Sequence, residues 1–350
     1  MTWFTAALCR SRPGTTVESV RPGTGSEGTT SRRVLHLTYG GDASGLPTTV
    51  FCKTTPSWRS RIVMGLSGGL DSECGFYNRV GPELGIETPR CYLAAFDGAS
   101  GRSILLLQDV GAERSATFGS PSLVVTRAMA ESMVRQLATY HAAFWDSPKL
   151  DAPMPWLQTS LAYQVNLNNV VNNHKLALRG IKRSADLIPA SVLSRADEIY
   201  PATMRALELN GRGPVTLQHA DVHIGNWYVL PDGQMGQFDW QCTTKGGWAL
   251  DVSYAFMSAL TIEDRRSWER ELLALYLASL EAHGVAAPAF EDAWLCYRQQ
   301  TFHGYMFWLS TLGAGAMLPD LQPRDICLAN IERMSAAVED LASLDAVLRA

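Results

Sequence analysis

Two hydrophobic periods divide this chain, and the change from one to the other near Pro121 limits the folds open to it. Before that point the apolar residues come in short, β-branched runs. RRVLHLTY (32–39) and TTVFCKTT (48–55) flank the turn-forming GGDASGLP, and RCYLAAFD and RSILLLQDV follow as a second pair joined by GASG. Between the pairs, GLDSECGFYNRVGPE takes helical spacing behind an Asp or Ser cap. This predicts an antiparallel sheet carrying one helix. After Pro121, PSLVVTRAMAESMVRQLATYHAAFWDS has proline near its start and apolar residues at i, i+3, i+4, which predicts a long helix. Helical spacing returns over 191–209, 249–260, 262–283, 290–311 and 323–348, and only 217–241 interrupts it with strand-like runs. The expected organisation is α+β: a small lobe over 1–108 and a larger, mainly helical lobe over 109–350, hinged at LLLQDVGAE.

A chain of 350 residues suits two such lobes. A net charge of -4 gives no basic stripe for nucleic acid. No apolar run approaches the roughly 20 residues that span a bilayer, and MTWFTAALCRSRPG lacks the basic region and cleavage site of a signal peptide. The seven cysteines form no CxxC pair, so reduced thiols in a cytoplasmic protein are expected. Monomer and dimer both stay open.

The interruption at 217–241 concentrates polar chemistry. LQHADVHIGNWYV sets two histidines, an aspartate and an asparagine in an otherwise apolar run. His219 and His223 are four apart, but a zinc helix needs a Glu beside the first, and Gly225 and Asn226 break the helix. A serine hydrolase would need a nucleophile elbow of the G-x-S-x-G type, and LQHADVHIGNWYV does not contain one. Phosphoryl transfer fits better. A loop Asp221 accepts a proton from a hydroxyl, while the Asn226 amide oxygen and Asp239, in GQFDWQ, supply hard oxygens for Mg²⁺. Either acid alone reads as a turn cap or a strand-end charge; the spacing of the set favours chemistry.

HADVHIGN followed by FDW resembles the catalytic loop and metal-binding segment of the aminoglycoside phosphotransferase/choline kinase family, which has a protein-kinase-like bilobal fold. The resemblance extends in order along the chain, from Lys53 in VFCKTT and Glu73 in SECGFY through the hinge LLLQDV to HAAFWDSP and to Asp251 in ALDVSYAF. It implies ATP or GTP and Mg²⁺. Lys53 would neutralise phosphate oxygens with Glu73 holding its ammonium, and the backbone at Gln108 and Val110 would bind the base. Asp221 would deprotonate the acceptor, Asn226 and Asp239 would bind the metal, and His219 and Asp251 would brace the loop. GTGSEG (23–28) fits G-x-G-x-x-G, so the backbone around Gly25, Ser26 and Gly28 is expected to cover the phosphates, although no G-K-[ST] follows. Ala220 replaces a glycine usual in the family, Gln108 an acid, and Trp227 is bulky.

The resemblance implies a small-molecule hydroxyl as acceptor. FHGYMFWLSTLGAGAMLP (302–319) is aromatic and nearly free of charge; it reads as a buried helix or as a pocket wall. Gly304, Gly313 and Gly315 fit a structural helix poorly, and Trp268, Trp294 and Trp308 add aromatic surface. An acceptor larger and less cationic than an aminoglycoside or choline follows: a nucleoside or other antibiotic inactivated by phosphorylation, a macrolide, or a steroid-like alcohol. The chain also resembles the ecdysteroid-kinase-like branch, of which a capuramycin-type antibiotic phosphotransferase is one instance. Two rivals are a protein kinase, which would need an A-P-E-like segment after Asp239, and a nucleotide-binding protein without turnover.

Overall fold

The computed structural model describes residues 1–27, 30–55, 58, 61, 65, 71–151, 154–314 and 322–349. Five antiparallel strands form the first sheet: β1 (Thr16–Glu27), β2 (Ser31–Gly40), β3 (Thr49–Thr54), β4 (Cys91–Asp97) and β5 (Arg102–Gln108), in the order β1-β2-β3-β5-β4. The two expected pairs are present. The sequence reading missed β1, whose Pro22 and glycines read as a loop. An edge strand tolerates them, and the register shifts between Pro22 and Gly25. One face of the sheet (Leu35, Leu37, Val50, Leu106) packs on helix α1 (Thr2–Leu8) through Ala7 and Leu8. The opposite face, with Leu105 and Leu107, joins the main core beside α2 (Ser72–Gly75), which continues through Phe76–Val80 as a π-helical turn.

The remainder is helical. Helices α3 (Val110–Arg114), α4 (Arg127–Phe144), α5 (Ser160–Val171), α6 (Asn173–Arg183), α7 (Ala190–Leu193) and α8 (Ile199–Asn210) precede the polar segment. After it come α9 (Ala249–Ala259), α10 (Ile262–Ala282), α11 (Phe290–Gln299), α12 (Phe302–Gly313), α13 (Arg324–Asp340) and α14 (Ser343–Leu348). The long helix starts at Arg127 rather than near Pro121, because the Thr126 hydroxyl accepts from the Met129 amide and caps it there. The spans 290–311 and 323–348 each break in two, the second at Ala342, whose φ is 46°. No described helix is long and apolar enough to cross a membrane.

Five short strands set the polar loops: β7 (Thr216–Gln218) pairs with β10 (Thr244–Gly246), and β8 (Trp227–Val229) lies between β6 (Thr117–Phe118) and β9 (Met235–Gln237).

The α12 glycines have a packing explanation, which corrects the pocket argument drawn from them. A Cβ on Gly304 would lie 2.5 Å from the Tyr254 ring, and one on Gly313 would run into the Leu176 carbonyl oxygen, just as one on Gly180 would meet that of Leu309. Helices α6 and α12 therefore cross in backbone contact. Gly315 lies outside the described residues. Gly313→Ala should cost about 1–3 kcal/mol by overpacking, read as a lowered urea midpoint with an unchanged m-value. An unchanged midpoint would mean the crossing is looser than this.

Candidate active site

Asp251, fully buried on α9, organises the loop after β7. Its Oδ2 accepts from the His219 amide (2.7 Å) and the Tyr140 hydroxyl (2.7 Å), and its Oδ1 from the Ala220 amide (2.9 Å). Burial pushes its carboxyl up, but the hydrogen bonds from His141 and Tyr140 help hold it below the usual range. Burial keeps His141 neutral, with its Nδ1 2.8 Å from the Tyr276 hydroxyl. Backbone donors held this way allow Ala220 a left-handed φ of 60°, which costs a non-glycine residue about 1–2 kcal/mol. His303 Nε2 donates to the Ala220 carbonyl at 2.8 Å and fixes the same residue from α12. His219 Nε2 reaches the Phe238 carbonyl at 3.0 Å, which joins this loop to the Asp239 segment.

Asp221 follows, its side chain 21% exposed. The Asn226 amide group donates to its backbone oxygen (2.7 Å) and to its Oδ2 (3.1 Å), and the Tyr254 hydroxyl donates to Oδ1 (3.2 Å). Asn226 thus points its nitrogen at Asp221 and keeps its amide oxygen for another partner. Its backbone oxygen accepts from the Phe238 amide at 3.1 Å, so Asp221, Asn226 and Asp239 belong to one hydrogen-bonded unit.

Asp239 sits at φ 65° and faces the sheet. Lys53 on β3 is enclosed between Glu73 Oε2 and Asp239 Oδ1, each at 2.6 Å, with Gln241 Oε1 at 3.4 Å. Arg32 Nη2 approaches Asp239 Oδ2 at 3.3 Å. Burial pushes the Asp239 carboxyl up, but the Lys53 and Arg32 charges outweigh it and hold the carboxyl below its ordinary value. Glu73 goes the other way: burial pushes it up more than Lys53 pulls it down. The next residue, Trp240, stacks on Phe76 at 3.8 Å and 7°, tying the Asp239 turn to the helical segment that carries Glu73.

An amide oxygen and a carboxylate suit Mg²⁺, which takes hard oxygens from one or two protein groups and completes its shell with phosphate and water. Asn226 Oδ1 and Asp239 fit that set, provided Asp239 yields an oxygen now held by a cation. Farther along the sheet, Gln108 closes β5, and Val110 opens α3 at a position whose amide has no acceptor within the helix. Gly25 and Ser26 lie inside β1 rather than in a free loop, and Gly28 lies outside the described residues. Gly25 serves strand packing, since a Cβ there would sit 2.6 Å from the Arg32 carbonyl oxygen.

The family model described as "Phosphotransferase enzyme family" matches residues 48–290. The chain belongs to the phosphotransferase enzyme family. Solved structures agree with that family in fold. A microcompartment-associated aminopropanol kinase is 14% identical, with 99% of each chain covered and a TM-score of 0.58. The GDP complex of wild-type aminoglycoside 2'-phosphotransferase-IIIa is 13% identical, covers 97% of this chain and 98% of its own, and gives 0.54. A choline kinase from Streptococcus pneumoniae is 14% identical over 98% of each chain, with a TM-score of 0.50. Among curated protein sequences, no relative matches. This phosphotransferase accordingly has the expected α+β, kinase-like fold.

Sequence reasoning passed over Arg32, Tyr254, Trp240 and Gln241. Of the tryptophans expected near the acceptor, Trp308 lies edge-on to His223 at 5.1 Å. Trp268 and Trp294 make their contacts elsewhere, under Arg127 (5.8 Å) and Arg270 (4.6 Å).

Proposed function

We propose that the protein transfers the terminal phosphoryl group of Mg·ATP, or Mg·GTP, to a hydroxyl of a weakly charged small molecule. The observation that supports this most directly is the hydrogen-bonded unit in which Asn226 holds Asp221 through its nitrogen and keeps an oxygen for a metal. Asp221 takes the acceptor proton as that oxygen bonds to the terminal phosphorus. The bond from phosphorus to the bridging oxygen breaks, and the nucleoside diphosphate leaves with the electron pair. Lys53, kept in place by Glu73, neutralises phosphate oxygens. The backbone at Gln108 and Val110 holds the base. His219 and Asp251 keep Asp221 in position. Mg²⁺, held by Asn226 and Asp239, supplies charge neutralisation at the phosphates.

The rings around Asp221 support a weakly charged acceptor. Tyr254 bonds its Oδ1, His223 lies 3.9 Å from its Oδ2 with Trp308 edge-on to that imidazole, and burial lowers His223 and His303, so both imidazoles are neutral near pH 7. An uncharged aromatic wall favours a nucleoside antibiotic of the capuramycin type, or another neutral alcohol such as a macrolide or an ecdysteroid-like sterol, over a polycation. Inactivation of an antibiotic is the outcome that fits such an acceptor.

The test is mass spectrometry of the protein with Mg·ATP or Mg·GTP and a mixed panel of nucleoside antibiotics, macrolides, steroid alcohols, choline, aminopropanol and aminoglycosides. A neutral member gaining one phosphoryl group is the expected result. Phosphorylation confined to aminoglycosides would overturn the acceptor class, and an unchanged panel with no nucleotide consumed would overturn the reaction.

A further inference from the structure

Lys53 has three N–H donors and three acceptors around it: Glu73, Asp239 and Gln241. As the site stands, it can reach a phosphate only by giving one of them up. The cation beside it is differently placed. In the antiparallel register Ser26 pairs with Arg32, and Arg32 with Lys53, so these three residues form one lateral row across β1, β2 and β3. Directly opposed residues share a face of the sheet, and Lys53 and Arg32 both reach Asp239 from it. Arg32 differs in exposure: its side chain is 34% accessible, against 4% for Lys53. Asp239 engages one of its five guanidinium donors through a 3.3 Å contact, and among the described residues no second side chain binds it.

We infer that Arg32 binds the terminal phosphate of the nucleoside triphosphate. The inference rests on the nucleotide-dependent reading above. If Asp239 turns Oδ2 to Mg²⁺, the guanidinium loses its one carboxylate partner among the described residues while it faces the region where the phosphates are neutralised. A planar fork that can bond two oxygens of one phosphate is suited to that task, and the Ser26 position in the same row borders it. Arg32 then adds to the charge that gathers on the transferred group, beside the buried Lys53 that Glu73 and Asp239 hold.

The test is calorimetric titration of the full chain with ATP, ADP and AMP, each with Mg²⁺ and with chelator, for the wild type, Arg32→Met and Arg32→Lys. Thermal unfolding checks that all three are folded. A charge-assisted bond of this type corresponds to about a tenfold to hundredfold loss of ATP affinity in Arg32→Met, with AMP changed less than about twofold and Arg32→Lys between the two. That loss should persist in chelator, since it comes from phosphate and not from metal. Equal losses for ATP and AMP would overturn the inference, pointing to general damage to β2. So would tighter Mg·ATP binding in Arg32→Met, which would make Arg32 a competitor for Asp239. A wild type that binds ATP with the affinity of Arg32→Met sinks this inference alone. A wild type that binds none of the three nucleotides sinks the proposed reaction with it.

Discussion

Asp221→Asn should lower kcat about 10²- to 10⁴-fold while leaving nucleotide affinity within about twofold. The asparagine can keep the local geometry. Its oxygen can accept from Asn226, which now donates to Oδ2, and its amide can donate to the Tyr254 oxygen, which now points its hydroxyl at Oδ1. What it lacks is a site for the acceptor's proton. The groups proposed to hold the nucleotide, Lys53, Glu73 and Asp239, are untouched, so binding and turnover should separate. Single-turnover rates and calorimetric titration of one preparation measure both. If kcat survives, Asp221 is not the base. If affinity falls with kcat, the loop joining Asp221 to Asn226 and Phe238 has shifted, and the variant has tested structure instead of chemistry. A protein that only binds nucleotide would have no turnover to lose.

The residues of this site divide by what determines their position. Lys53, Glu73, Asp221, Asn226, Asp239 and Asp251 could be picked out because order and spacing along the chain suffice to recognise them. Arg32 could not. Its importance comes from lying opposite Lys53, and β2 and β3 are joined by an eight-residue connection that does not fix a register as a two-residue turn does. Tyr254 is hidden for another reason. Every residue of α9 is buried, so the helix has no polar face against which a functional hydroxyl would stand out. Helix α5 escaped notice because SLAYQVNLNNVV is rich in asparagine and lacks an apolar stripe, so its stability comes from tertiary packing, whereas α6 carries a short stripe of Leu176, Ala177, Gly180 and Ile181 that was passed over. The α12 glycines were misread in the opposite sense. A glycine inside a helix looks like a weakness until the crossing helix is known, and the crossing with α6 is a tertiary fact. The sheet and most of the later helices were readable because hydrophobic period is a local property.

The second large effect concerns stability. Lys53→Met should destabilise the fold by about 3–5 kcal/mol, because it removes one partner from a buried ionic cluster and leaves the carboxylates behind. Asp239 retains Arg32, but Glu73 fares worse. Its Oε1 already has no hydrogen-bond partner among the described residues, and its Oε2 would lose the ammonium 2.6 Å away. The loss should depend on pH with a definite sign. Burial already sets Glu73 above its ordinary value despite the opposing Lys53 charge, and removing that charge raises it further. A carboxyl whose folded value is raised contributes stability that is full below its unfolded value and disappears as pH rises through the folded one. The variant's deficit should therefore be greatest near neutral pH and shrink as the buffer is made acidic. Urea unfolding of wild type and variant at about pH 8 and about pH 5 gives the comparison. Adding Glu73→Gln to Lys53→Met removes the stranded charge while keeping the shape, and should recover part of the loss at the higher pH. A deficit that stays constant with pH, and is not reduced in the double variant, would place the cost in lost packing around the lysine stem instead of in the unpaired carboxylate.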